Sequence, residues 1–158
     1  LRPAVIVLSL VCASCGDEQP AKSGTTPEPS GQQDEWLELK DETAPADWLV
    51  TRARAAGQSV AEGDIAVLKA ALSTAVLRLG ESSRMIANRS AQLETMLKGI
   101  GHEETAISLI PKLTTAIGET GQTEGFGAIS QHYYTMRKSG LTSEEAVADL
   151  RARYGPRR

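Results

Sequence analysis

Aromatic side chains make up only 4% of this 158-residue chain. A core must therefore be assembled from Leu, Ile, Val, Ala and Met. Sheets favour β-branched and aromatic residues, so the shortage argues for packed helices. Cysteine is equally scarce. Cys12 and Cys15 are the two present, both close to the start, which excludes a disulfide within the folded part. Their CxxC spacing can signal redox chemistry, metal binding or haem attachment. Gly16 stands where haem attachment needs His, no second CxxC completes a zinc site, and no βαβ pattern surrounds the pair.

Charge of one sign is lacking too. A net charge of −3 argues against general nucleic-acid binding. The charges are unevenly placed, however. Acidic residues dominate from Asp17 to Asp47, and basic residues gather between Arg137 and Arg158. The familiar nucleophile motifs are missing: no G-x-S-x-G occurs, and no S-x-x-K follows Cys15. The glycines of GETGQTEGFG, residues 118–127, do not fit a P-loop and do not follow a strand. His102 and His132 lie far apart, and Ala106 stands where a zincin helix would need its second His. Met85, Met96 and Met136 each fall on an apolar stripe, which suits core packing better than copper. No metal or cofactor is expected.

What is present begins with AVIVLSLVCASCGDEQPAKSG, residues 4–24. Arg2 supplies a positive charge ahead of the apolar run from Ala4 to Ala13. The run has signal-peptide length and falls short of the roughly 18–20 residues that span a bilayer. Cys12-Ala13-Ser14-Cys15 then resembles the lipobox of bacterial lipoproteins, with small residues before a cysteine; Cys12 departs from the usual Leu. The resemblance covers residues 1–16. It implies that Cys15 carries diacylglycerol and becomes the first residue after cleavage, leaving residues 1–14 as the signal peptide. Two or more acyl chains hold a protein firmly at a membrane. Residues 15–35 then read as the lipidated Cys and a disordered linker, rich in Pro, Gly and charge and without apolar periodicity.

Residues 36–158 read as one all-α domain, an irregular bundle of about five or six helices. The strip EWLELKDE suggests a short helix or an arm against the domain. Pro45 opens a helix through Ala56, with Trp48 as its large anchor and Gly57 at its end. Ser59-Val60-Ala61-Glu62 has capping-box spacing and precedes a stripe of Ile65, Leu68, Leu72, Val76 and Leu79. Gly80 interrupts it. A second run carries Met85, Ile86, Leu93, Met96 and Leu97, and its polar middle, ANRSAQ, suggests half exposure. The next helix starts near His102, its Glu103 and Glu104 matching a helix N-terminus. Pro111 should kink it or split it. A glycine-rich loop leads to a helix from Ala128 to Ser139. Thr142-Ser143-Glu144-Glu145 opens the last helix, striped by Val147, Leu150 and Tyr154.

Two functional expectations follow. The favoured one is a lipid-anchored envelope protein, facing the periplasm or cell exterior, whose helical domain binds another envelope protein without catalysis. Its expected contact strip runs from Gly121 to Tyr134, with Phe126, His132, Tyr133 and Tyr134 near a flexible loop; for Phe126 and Tyr133 a place in the core is the favoured alternative. The alternative rests on Glu81-Ser82, an acid-serine pair that is similar to that of lytic transglycosylases. That resemblance implies a peptidoglycan-cleaving enzyme with Glu81 as general acid. The GLMQ-like segment expected after the pair is missing, and Gly127-Ala128-Ile129-Ser130-Gln131 comes much too late.

Overall fold

The computed structural model describes residues 36–118 and 124–156. The expected signal peptide, Cys15 and linker lie outside the described residues. Six helices follow in order: α1 Pro45–Ala55, α2 Glu62–Leu79, α3 Ser83–Lys98, α4 Ala106–Ala116, α5 Phe126–Lys138 and α6 Ser143–Tyr154. No strand occurs among the described residues. The expected all-α bundle is the one observed.

Helix α4 occupies the centre. It packs against α2 and α3, against α6 on another side, and under α1. Leu109, Ile110 and Leu113 of α4 are wholly buried and meet Leu68 of α2, Ile86, Leu93 and Leu97 of α3, and Leu150 of α6 in one core. Pro111 lies inside α4, yet α4 stays one helix. The proline removes the N–H that would bond the carbonyl of Ile107, at a cost of roughly 3 kcal/mol. Burial of the three neighbouring aliphatics, worth about 1.5–3 kcal/mol each, outweighs that loss. The C-terminal carbonyls of α4 are satisfied from outside. Arg78 Nη1 of α2 donates to Thr114 O at 2.9 Å and to Ile117 O at 2.8 Å. A cation there also suits the negative end of the helix dipole.

Several boundaries differ from the sequence reading, each for a local reason. Ser59 does not cap α2. Ala61 takes the N-cap position, and Asp64 reaches back to accept its N–H at 3.1 Å. Trp48 is half-buried, and the anchors of α1 are its neighbours Leu49 and Val50. The polar middle of α3 is half exposed as expected: Ala87, Ser90 and Ala91 are buried, while Asn88, Arg89 and Gln92 reach the surface. Small side chains let neighbouring helices approach there. Helix α4 starts at Ala106, not His102, because Thr105 caps it by accepting from Ser108 N at 3.2 Å. Helix α5 begins two residues before Ala128, with Phe126 turned into the core. The Thr142–Glu145 capping box of α6 forms as expected.

The strip before α1 is an arm. Leu37 is buried, and Asn88 of α3 holds its backbone from both sides, accepting Leu37 N–H at 2.9 Å and donating to Leu37 O at 3.0 Å. Arg84 donates to Asp41 O at 3.0 Å. Leu39, 91% exposed, points away.

Leu109→Ala should lower the unfolding free energy by about 2–5 kcal/mol, because it opens a cavity where α4 meets its neighbours. Leu39→Ala should stay within about 0.5 kcal/mol of the parent. Urea denaturation followed by circular dichroism measures both.

Candidate functional site

The most densely connected polar group is Glu104, in the loop between α3 and α4. Its carboxylate is nearly buried, with a side-chain exposure of 12%. Oε2 accepts from Lys112 Nζ of α4 at 2.5 Å and from the Tyr133 hydroxyl of α5 at 2.7 Å. Oε1 accepts from Arg137 Nε of α5 at 2.9 Å. Ser143, the first residue of α6, lies 2.8 Å from both Lys112 Nζ and the Tyr133 hydroxyl. Arg137 also donates to Leu141 O at 2.6 Å. Burial by itself would raise the pKa of Glu104. The hydrogen bonds from Lys112 and Tyr133, and the charges of Lys112 and Arg137, together hold it below the ordinary carboxylate value. Burial pushes the Tyr133 phenol well above its usual range, and the facing carboxylate pushes it further. Both carboxylate oxygens accept from donors inside the domain, so the cluster ties the α3–α4 loop to α4 and α5.

A polar hollow of about 400 Å³ lies beside it, lined by Arg52, Glu94, Lys98, His102, Glu103 and Glu104 among others. Its charges are largely paired within the fold. Arg52 bonds Glu94, Gln58 donates to Glu94 Oε1 at 3.3 Å, and His102 Nε2 lies 3.4 Å from Arg137 O. No group of His, Cys, Asp and Glu with metal-binding geometry occurs among the described residues.

The expected aromatic strip is divided. Phe126 and Tyr133 are wholly buried, so neither presents a contact surface. Helical spacing aims both at the core that the scarcity of other large side chains leaves to fill. Tyr134 is half-buried against the core. His132 is partly exposed, but both ring nitrogens are engaged: Nδ1 lies 3.3 Å from the Tyr154 hydroxyl and Nε2 lies 3.3 Å from Asp149 Oδ1. Tyr154 in turn donates to Glu124 Oε2 at 2.9 Å, and burial and that carboxylate raise its pKa. Gly121 lies outside the described residues.

Glu81 follows Gly80 in the turn between α2 and α3. It faces Arg89 of α3, Oε2 to Nε at 3.6 Å, and its Oε1 lies so close to Gly125 that a Cβ there would collide with it. The carboxylate thus sits at the N-terminal end of α5, a favourable place for a negative charge. Its Oε2 is buried and accepts no hydrogen bond among the described residues.

A different surface carries open apolar area. Between α2 and α4 run two adjoining hollows of about 360 and 460 Å³ that share Val67 and Pro111. Val67 is 55% exposed, and Ala70, Thr74 and Thr115 continue the floor. The sequence signal was available: Val67 falls off the α2 stripe, and Pro111 bares the α4 backbone.

The fold and these surfaces define a small helical bundle with an open groove between α2 and α4. The family model MoxZ matches residues 46–155, from the first turn of α1 past the end of α6, and the chain belongs to that family. No curated protein and no solved structure matches it.

Glu104→Gln should cost about 3 kcal/mol near neutral pH, since it leaves Lys112 and Arg137 without their counter-charge. The folded-state pKa of Glu104 is lowered, so its contribution is present above the unfolded value and vanishes as pH falls through the folded value. The stability difference between parent and variant should therefore shrink on acidification. Urea melts at neutral and acidic pH measure it.

Proposed function

We propose that this chain is a lipid-anchored envelope protein whose helical domain binds another envelope protein and performs no catalysis. The lipobox-like Cys12-Ala13-Ser14-Cys15 supports the anchor, with Cys15 as the acylated residue. The linker of residues 15–35 supports a domain standing off the membrane. The observation that carries the binding reading is the apolar groove between α2 and α4, with Val67 exposed at its middle.

The occupant that suits this groove is an amphipathic helix of the partner. The floor alternates small and short side chains, Ala70, Thr74, Pro111 and Thr115, over which a helix can lie closely. Asp64 borders one end and Arg78 the other. Fourteen helical positions separate them, about 21 Å along the axis. Opposite charges at that spacing fix the direction in which a partner helix lies.

In detergent-solubilised envelopes, the parent should co-purify with one defined envelope protein. Cys15→Ser should leave the membrane fraction and show no acyl mass. Val67→Arg should keep the acyl mass and the membrane location but lose the partner at least about tenfold. An unmodified Cys15 in native material would remove the anchor. Undiminished capture by Val67→Arg would remove the groove.

A further inference from the structure

On the opposite side of the bundle, α3 and α5 enclose a pocket of about 160 Å³. Arg89 and Gln92 of α3 face Ser130 and Gln131 of α5 across it, and Leu93 and Met96 form its apolar floor. Ser130 is 6% exposed, and its hydroxyl has no hydrogen-bond partner among the described residues. The other buried hydroxyls show how unusual this is. Ser90 donates to Ile86 O at 2.8 Å and Thr114 donates to Ile110 O at 2.7 Å, each closing onto its own helix. A serine on a helix can do the same at position 130, but this hydroxyl is buried without a partner in a residue that lines the pocket. Buried polar groups are paired in the great majority of cases, so an orphan facing a cavity marks a place for a ligand.

Arg89 supplies the charge. Its Nε turns toward Glu81, and its Nη1 passes over Gly127 so closely that any side chain there would strike it. Glycine at position 127 thus lets the guanidinium rest on the first turn of α5. Arg89 and Ser130 thus line one small space, which the exposed Gln92 and Gln131 also border.

We propose that this pocket binds a short-chain monocarboxylate. A planar two-oxygen anion matches the guanidinium fork, and the Ser130 hydroxyl donates to the same group. The alkyl part lies on Leu93 and Met96. Phosphate fits less well, because Glu81 already places one negative charge beside Arg89 and the floor is apolar. The site shares no residue with the groove between α2 and α4, so it stands or falls independently of the partner described above.

Amide-resolved NMR titration of the full chain with sodium acetate, at constant ionic strength, tests this. Acetate should shift the Gly127 and Ser130 amides saturably, whereas acetamide and inorganic phosphate should not. Ser130→Ala should weaken acetate binding about tenfold while folding at least as stably as the parent, since it removes only an unpaired hydroxyl. Arg89→Gln should abolish the saturable shift. Equal shifts with acetamide, stronger binding of phosphate, unaltered binding by Ser130→Ala, or no saturable shift with any probe would each overturn the proposal. In the last case the hydroxyl holds water only.

Discussion

A single carboxylate organises this bundle. Glu104 sits in a loop, yet it accepts hydrogen bonds from α4 through Lys112 and from α5 through Tyr133 and Arg137, and Ser143 of α6 completes the ring. Removing a charged carboxylate from water is costly, and that cost is tolerable only where donors surround it. Here they do, with two formal positive charges facing one negative. The arrangement also solves a problem posed by Tyr133. Its ring is needed to fill a core poor in large side chains, and a buried phenol needs a partner for its hydroxyl. Glu104 and Ser143 supply one, so filling the core and fixing the positions of α4, α5 and α6 become the same event.

The scarcity of aromatics shapes the packing elsewhere. Phe126 and Tyr133 are wholly committed to the interior, and Tyr154 is buried at the end of α6. The remaining core consists of aliphatic side chains gathered around α4, with Ala87, Ser90 and Ala91 of α3 at close approaches. A helix enclosed on most sides can carry Pro111, because tertiary burial and not backbone hydrogen bonding holds it in place. The same proline lines the groove that α4 forms with α2. The groove and the proline-bearing helix thus share one residue.

The start of α5 shows how two glycines serve side chains from other elements. A Cβ at Gly125 would collide with Glu81, and one at Gly127 would collide with Arg89. The glycine-rich segment therefore provides close approach for an ion pair, in addition to a connection between helices. Glu81 and Arg89 lie against the helix N-terminus, where a carboxylate is electrostatically favoured.

Much of the fold was legible in the residue order. The stripe of Leu68 and Leu72, the Thr142–Glu145 box, and the glycines at 57 and 80 report local physics: apolar periodicity, end capping, and positive φ. Six helices and an all-α class follow from them. The failures were of another kind. Glu103 and Glu104 read as first-turn acids because sequence shows proximity along the chain, whereas Lys112, Tyr133, Arg137 and Ser143 meet Glu104 only across space. Phe126 and Tyr133 could be read either as core anchors or as part of a surface strip, and packing decided for the core. Ser130 and Arg89 were not joined in the sequence because an unpaired hydroxyl is defined by what surrounds it. Local patterns determined where helices begin, end and bury a stripe. Only tertiary packing decided which polar groups were satisfied, and hence which were left open for a ligand.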